Sequence, residues 1–192
     1  MQIEFEATFP DISKNNAREM LKNADAKLIR PEYFQRRINF YVPDNIVPNS
    51  WLRVRDEGDK ITMSLKRNDG PSIENQQEIC MEVDNFATAV NFLESLGFKQ
   101  KSYQETKREL WKLDKAEITI DEWPFLEPFM EVEADSEREI KEVCEKLGLD
   151  FSKALFCPIT VLYSMKYNIP EEYINNEIPK IIFEEKNPFI KI

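Results

Sequence analysis

The stretch that decides the fold runs from Trp51 to Lys66 and reads WLRVRDEGDKITMSLK. Both of its halves alternate polar and apolar residues, and the polar positions are Arg53, Arg55, Thr62, Ser64 and Lys66. Side chains along a β-strand point alternately to its two faces, so a period of two predicts two strands whose faces meet different surroundings. The link Asp56-Glu-Gly-Asp-Lys60 is typical of a hairpin turn between them.

The same alternation recurs on both sides of this hairpin. The polar positions are Gln2, Glu4, Glu6 and Thr8; Gln35, Arg37, Asn39 and Tyr41; Gln76, Glu78, Cys80 and Glu82; Thr106 and Arg108; Glu117, Thr119 and Asp121; and Glu131 and Glu133. The segment around 34–41 is the least regular, because Arg36 interrupts its apolar side. Together these segments predict about eight strands with one unusually charged face.

Two architectures are compatible with the charged face. It could be the solvated side of an ordinary antiparallel sheet, which alternation alone favours. However, basic and acidic residues are segregated on different strands, whereas solvated faces usually mix both signs. We therefore predict an α+β fold, a closed eight-stranded antiparallel β-barrel with a charged interior and with helices packed on its outside.

Helical periodicity appears in four segments, which are residues 13–26, 85–96, 136–147 and 158–167. These amphipathic helices need an apolar surface to cover, and the outside of the barrel would provide it. We predict one domain over residues 1–168. Residues 169–192 carry prolines, acids and Ile/Phe clusters, which are typical of an arm packed on the domain or on a partner subunit, so a homodimer stays open.

Composition excludes several classes of function. The formal net charge of −10 opposes binding to nucleic acid or to an anionic membrane. The absence of histidine rules out catalytic triads with a His base and every His-ligated metal site. The 4 glycines form no phosphate-binding loop, and the 3 cysteines have no metal-ligand spacing. An acidic amino terminus and the lack of a long apolar run predict a soluble, cytoplasmic protein.

A charged barrel interior is costly unless its charges are paired or bound to a ligand, because each charge loses hydration worth several kcal/mol. A triphosphate would match Arg and Lys donors, and clustered carboxylates suit Mg²⁺ or Mn²⁺, which prefer oxygen ligands. The sequence therefore favours a metal-dependent site for a small-molecule triphosphate.

Over roughly the first 165 residues the chain resembles the CYTH superfamily of triphosphate tunnel metalloenzymes, which includes class IV adenylyl cyclases and inorganic and thiamine triphosphatases. The resemblance is carried by Glu4-Phe-Glu6, Arg53-Val-Arg55, Ser64-Leu-Lys66, Glu78 and Glu82, Arg108, Asp121, and Glu131-Val-Glu133. Each motif is weak alone, and their order and spacing make the resemblance specific.

The resemblance implies a role for each of these residues. The divalent metal would be held by Glu4, Glu6, Asp121, Glu131 and Glu133, and the phosphates by Arg53, Arg55, Lys66 and Arg108. Catalysis would depend on Glu4, Glu6, Arg53, Lys66 and Arg108. Glu78 and Glu82 would either reach a second metal or form salt bridges within the barrel wall. The three tryptophans, Trp51, Trp111 and Trp123, are interpreted as packing residues.

The sequence departs from the family pattern at two positions. The ExExK signature has Thr8 in place of its lysine, and the later KxR pattern has Thr106 in place of its lysine. Lys107 is adjacent but is expected to point outward. These changes remove two cations from the predicted interior and bear more on proton handling than on triphosphate binding.

Three functions remain open at this level. The first is a class IV adenylyl cyclase-like reaction, in which the ribose 3′-hydroxyl of ATP attacks the α-phosphorus and pyrophosphate leaves. The second is hydrolysis of inorganic, thiamine or nucleoside triphosphate. The third is a module that binds a polyphosphate or nucleotide without turnover, which the threonines at positions 8 and 106 make plausible.

Overall fold

The computed structural model describes residues 1–190, and all the strands of this part belong to one large sheet. The strands are β1 (Gln2–Ile3), β2 (Phe5–Phe9), β3 (Lys27–Tyr41), β4 (Ser50–Asp56), β5 (Ile61–Asn68), β6 (Gln76–Glu82), β7 (Gln100–Leu113), β8 (Ala116–Glu122), β9 (Phe129–Ala134) and β10 (Lys180–Ile181). The hairpin predicted from residues 51–66 is present as β4 and β5, with Arg53 opposite Ser64 and Trp51 opposite Lys66.

The sheet curves into a nearly closed antiparallel barrel. Its strand order is β1-β6-β5-β4-β3-β7-β8-β9-β2. β1 and β2 are consecutive pieces of one extended segment, broken at Glu4, and they pair with opposite ends of the sheet, β1 with β6 and β2 with β9. If β1 and β2 are counted as one strand, the ring has the eight strands that alternation predicted.

The helices are α1 (Lys14–Asn23), α2 (Phe86–Ser95), α3 (Glu137–Leu147), α4 (Ile159–Tyr167) and α5 (Glu171–Glu177). The first four lie where periodicity predicted them, with no end shifted by more than three residues. Side chains of Ser13, Asn85 and Ser136 accept backbone N–H groups at the starts of α1, α2 and α3. These caps satisfy donors that have no partner within a helix, and so fix where each helix begins.

The apolar core lies outside the barrel, beneath the helices, as predicted. Ile118, Ile120 and Val132 of β8 and β9 pack with Leu21 of α1 and Ile140 of α3. Burying an aliphatic side chain of this size contributes about 1.5–3 kcal/mol. A separate cluster lies beneath α2, where Val90 and Leu93 meet Phe40 and Val54. The helices therefore cover the apolar face of the sheet and leave the charged face to the interior.

The segment after α4 packs against the barrel. Ile174 of α5, Ile181 of β10 and Phe189 are buried with Trp123 and Tyr163. The Phe189 ring stacks on the Tyr163 ring at a centroid distance of 4.3 Å, and β10 pairs with β7 in parallel. Lys191 and Ile192, which complete the predicted arm of residues 169–192, lie outside the described residues.

The helices of residues 1–190 are all too short or too polar to span a membrane.

Candidate functional site

The barrel encloses a cavity of about 860 Å³ whose wall is mostly polar. Of the predicted site residues, those that line it are Glu4, Glu6, Arg53, Arg55, Lys66, Glu78, Arg108, Glu131 and Glu133. Only Asp121 and Glu82 do not. The cavity is therefore the place where charges from six strands, and from Glu4 between β1 and β2, come together.

Three carboxylates form a cluster on one side of the cavity, which we call the carboxylate trio: Glu4, Glu6 and Glu133. Each offers an oxygen within 4.8 Å of the others. The register of β2 and β9 places Glu6 directly opposite Glu133, and the break between β1 and β2 brings in Glu4. Carboxylate oxygens at this spacing are the donors that a hard divalent cation prefers, so the trio fits a Mg²⁺ or Mn²⁺ ion.

Two acids of this cluster, Glu4 and Glu133, resist ionisation. Burial raises the pKa of Glu4 from its ordinary value of 4.5 to about 7, against the attraction of Lys66 and with the repulsion of Glu6 and Glu78. Burial and the neighbouring Glu6 also raise the pKa of Glu133 to about 7, although Glu133 is the most exposed of the trio. A bound cation would reverse these shifts, because it would stabilise the charged forms.

Lys66 and Glu78 connect the acidic side to the basic side. Lys66 Nζ lies 2.8 Å from Glu4 Oε2 and 3.6 Å from Glu78 Oε2, and Arg53 Nη2 donates to Glu78 Oε1 at 3.0 Å. Burial opposes ionisation of Glu78, but Lys66 and Arg53 prevail and lower its pKa to about 2. Of the two roles that the sequence left open for Glu78, the salt bridge is the one present in this structure.

Arg108 lies in a second ionic cluster. Its partners are Asp121 and Glu131, two residues that were predicted to bind the metal. Its Nε and Nη2 donate to the two oxygens of Asp121 at 2.7 and 2.9 Å, and Nη2 also donates to Glu131 Oε2 at 2.7 Å. Asp121 is fully buried and accepts a further bond from Thr119. The structure thus places Asp121 and Glu131 around Arg108, and Glu131 also lies near Glu6, which helps burial to raise its pKa.

Glu82 is not brought to the cavity. It lies exposed at the end of β6, opposite Thr62, two residues beyond the exposed Cys80. The alternation that linked Glu82 to Glu78 continues past the point where β6 borders the cavity. The structure therefore corrects the prediction that Glu82 lies in the barrel wall beside Glu78.

Arg37 is a cavity residue that the sequence analysis did not select. It is 5% exposed, and its guanidinium carbon lies 4.6 Å from the centroid of the Trp123 ring. Its Nη2 donates to Gln35 Oε1 at 2.8 Å and to Thr106 Oγ1 at 2.6 Å. The signal was available, because alternation had already placed Arg37 on the polar face of β3, but the irregular Arg36 beside it weakened that assignment.

The cations occupy adjacent strands. Lys66 lies on β5, Arg53 and Arg55 on β4, Arg37 on β3 and Arg108 on β7, and these four strands are neighbours in the sheet. We call these five residues the cationic wall. Burial and the neighbouring Arg53 lower the pKa of Arg55, although Arg55 Nη2 is paired with Glu57 at 2.7 Å. The cationic wall lines the same cavity as the carboxylate trio, and Lys66 is the residue of the wall that contacts the trio, through Glu4.

The segment after α3 completes the cavity. Cys157, Thr160, Glu171, Glu172, Asn175 and Asn176 line it. Thr160 donates to Glu171 at 3.0 Å, which holds the start of α5 against α4. Tyr41 also donates to the backbone oxygen of Asn175 at 3.1 Å, which ties α5 to β3. These residues differ in chemistry from the cationic wall, since they offer carboxylates and amides.

Comparison with known proteins agrees with this architecture. The CYTH domain family matches residues 2–156, and the chain belongs to that family. The resemblance inferred from the sequence motifs is thereby confirmed. No curated protein sequence matches the chain at a significant level.

Solved structures share the fold at low sequence identity. A conserved hypothetical protein from Pyrococcus furiosus is 24% identical with a TM-score of 0.70, covering 83% of this chain and 99% of that one. A candidate adenylate cyclase from Vibrio parahaemolyticus is 14% identical with a TM-score of 0.70, covering 85% and 98%. A candidate adenylyl cyclase from Hippeastrum with a dominant triphosphatase activity is 14% identical with a TM-score of 0.55, covering 88% and 99%. At these identities the likeness shows the fold alone.

Proposed function

We propose that this protein is a metal-dependent enzyme that binds a triphosphate in the barrel and breaks one of its phosphoanhydride bonds. The observation that carries the proposal is that the cationic wall and the carboxylate trio line one cavity. Phosphate oxygens match guanidinium and ammonium donors, and carboxylates match a divalent cation. A metal triphosphate complex has both kinds of charge in one ligand.

The carboxylate trio would hold the metal ion through Glu4, Glu6 and Glu133. When bound there, a divalent ion supplies positive charge beside the phosphate oxygens and favours ionisation of an attacking hydroxyl or water. The protein itself contributes orientation. Lys66, 2.8 Å from Glu4, would keep this carboxylate turned toward the cavity and would lie between metal and phosphates.

The cationic wall would hold the leaving group. Arg53 and Lys66 are paired with Glu78 and with Glu4, so each can turn toward a phosphate oxygen while keeping a carboxylate neighbour. Arg108 is held by Asp121 and Glu131 in a fixed orientation. Such preorganised donors stabilise the charge that develops as a phosphoanhydride bond breaks.

Cyclisation of ATP to cyclic AMP and pyrophosphate is the first reaction we propose. A cavity of about 860 Å³ is at the upper end of the size range for sites of drug-sized ligands, and it favours a substrate with an organic part over a bare polyphosphate. The aromatic rings of Tyr41 and Trp51 line the same cavity as the cations. They provide surfaces against which a base could pack.

Hydrolysis of a triphosphate is the second reaction, and it would use the same residues with water as nucleophile. The Hippeastrum protein supports keeping it, because a candidate cyclase of this fold has a dominant triphosphatase activity. Which phosphorus atom faces the nucleophile separates the two reactions.

The test is product analysis. Purified protein is incubated with Mg²⁺ or Mn²⁺ and, separately, with ATP, inorganic triphosphate and thiamine triphosphate. Cyclic AMP with pyrophosphate would establish the cyclase, and orthophosphate without cyclic AMP would establish a triphosphatase. Binding without any product would instead favour a ligand-holding module and overturn the enzyme proposal.

A further inference from the structure

Four of the five cations in the cationic wall have a carboxylate partner. Arg53 pairs with Glu78, Arg55 with Glu57, Lys66 with Glu4, and Arg108 with both Asp121 and Glu131. For Arg37, residues 1–190 provide no carboxylate oxygen within 4.0 Å of the guanidinium. Arg37 therefore lacks the contacting carboxylate that each of its four neighbours in the cationic wall has.

The direct contacts of the Arg37 guanidinium are all with neutral groups. Its Nη2 bonds to Gln35 and Thr106, its plane lies over Trp123, and its Nε is buried without a hydrogen-bond partner among the described residues. The register of β3 and β4 also places Arg37 directly opposite Arg55. Like charges in directly opposed positions destabilise a sheet, and a buried charge without a counterion is more costly still.

Burial and the nearby Arg55, Arg53 and Arg108 lower the pKa of Arg37 well below its ordinary range. The lowered pKa and the arrangement of the side chains have the same origin. Several positive charges are gathered in a part of the cavity that has few carboxylates. A guanidinium remains protonated in proteins, and Asp121 attracts that of Arg37 without contacting it, so a bound anion would supply a direct counter-charge.

We propose that Arg37 is a phosphate-binding residue of this site, and that it supplies the positive charge that position 106 lacks. The inference rests on the proposed function and adds a residue to it. Arg37 Nη2 lies 2.6 Å from Thr106 Oγ1, so the guanidinium occupies the space beside that hydroxyl. The cation therefore reaches the interior from β3, whereas the KxR pattern would place it on β7.

Substitution of Arg37 by Met tests the proposal, with Arg36→Met as the matched control. Arg36 is the adjacent residue on the opposite face of β3, where it is exposed and paired with Asp56 at 2.9 Å. The readout is calorimetric affinity for inorganic triphosphate in the presence of Mg²⁺. Losing charge-assisted hydrogen bonds should weaken binding by about 10- to 100-fold for Arg37→Met and leave Arg36→Met close to wild type.

The unfolding temperature without ligand separates binding from a structural role. Thr106 Oγ1 also lies 3.0 Å from Gln35 Oε1, so these two groups keep each other as partners when Arg37 is removed. Removing an uncompensated buried cation should leave the unfolding temperature unchanged or raise it. A lower unfolding temperature together with wild-type affinity would show that Arg37 is structural and overturn the proposal.

A second variant tests the replacement directly. Adding Thr106→Lys to Arg37→Met should restore most of the lost affinity, because it returns one cation to the same part of the wall. A double variant as weak as Arg37→Met would overturn the link to position 106. If Arg37→Met does not fold, Arg37→Lys serves instead, and we expect about three- to tenfold weaker binding because the planar fork is lost.

The failure of this inference differs from the failure of the proposed function. If the wild-type protein binds no triphosphate, the proposed function is wrong and the inference is wrong with it. If the wild type binds triphosphate and Arg37→Met binds it equally well, the proposed function stands and only the inference is wrong.

Discussion

The cationic wall forms a basic half of the barrel interior, and the carboxylate trio forms an acidic half. Each half places two like charges directly opposite one another on neighbouring strands. On the basic half, Arg37 lies directly opposite Arg55, and on the acidic half Glu6 lies directly opposite Glu133. Each arrangement is unfavourable by itself, because, besides burial, Arg55 lowers the pKa of Arg37 and Glu6 raises the pKa of Glu133. A ligand of opposite sign would relieve each arrangement. From this comparison we expect the interior to bind both an anion and a cation.

The outside of the barrel is complete by contrast. Ile118 and Val132 are fully buried on the opposite face of the same strands that carry Thr119 and Glu133. The sheet thus separates two faces. Burial of the apolar face stabilises the fold, whereas like charges lie close together on the charged face. Substitutions in the interior should accordingly affect function much more than stability.

The largest expected effect concerns the acidic half. Replacing Glu4 and Glu6 by Gln should reduce turnover by roughly 10³-fold, since a metal contributes several kcal/mol to the transition state. The metal-free variant should be at least as stable as wild type, because the substitutions remove like-charge repulsion. Rates of product formation and thermal unfolding measure the two effects. Glu82→Gln is the matched control, because Glu82 is exposed outside the cavity, and retained activity in the double variant would contradict the metal site.

The basic half predicts a smaller effect, on affinity. Arg53→Met should weaken binding of inorganic triphosphate by about 10- to 100-fold through lost charge-assisted bonds. Glu78 keeps Lys66 as a partner in this variant, so the barrel should remain folded. Calorimetric titration measures the change, and an unchanged affinity would place the phosphate site elsewhere.

The acidic half also predicts a dependence of stability on pH. Glu4 has a pKa of about 7 in the folded protein and an ordinary value of 4.5. A carboxyl group whose pKa is raised by folding stabilises the protein below pH 4.5 and loses this contribution as the pH rises through 7. Metal-free protein should lose roughly 1–3 kcal/mol of unfolding free energy over that range.

Chemical denaturation at several pH values measures this loss. Glu4→Gln should show a flatter profile, since Gln does not titrate, and addition of Mg²⁺ should flatten the wild-type profile by favouring the ionised carboxylates. A wild-type stability that rises between pH 4.5 and 7 with the same slope in Glu4→Gln would contradict the raised pKa.

The smallest effect is expected at position 8. The carboxylate opposite Thr8 in the β2–β9 register is Glu131, which already accepts a hydrogen bond from Arg108 at 2.7 Å. Thr8→Lys restores the ExExK signature but would find this partner taken, so we expect a change in rate of about twofold or less. A large gain in product formation would show that the site lacks the cation that the ExExK signature places at position 8.

The sequence predicted the fold well because the alternation is strong. Residues 51–66 specify a hairpin by a period of two, and the segregation of charges by strand predicted that the polar faces meet inside a barrel. It also predicted which side chains face inward on β4 and β5, because pleating fixes this once the register is known.

The finer arrangement of the site could not be predicted in the same way. The sequence placed Asp121 with the metal ligands, but which carboxylate pairs with Arg108 depends on the β7–β8 register, which puts Arg108 directly opposite Asp121. Glu82 continues a regular pattern beyond the point where β6 borders the cavity. The contribution of α5 depends on how the C-terminal segment packs, and no local periodicity encodes that packing.

A titration of inorganic triphosphate into the wild-type protein, with and without Mg²⁺, tests most directly whether one metal triphosphate binds to both halves of the interior. We expect saturable binding in both conditions and tighter binding with Mg²⁺. The reason is that the ion neutralises the acidic half while the triphosphate neutralises the basic half. The absence of binding in both conditions would contradict the claim that the two halves of the interior are completed by one metal triphosphate.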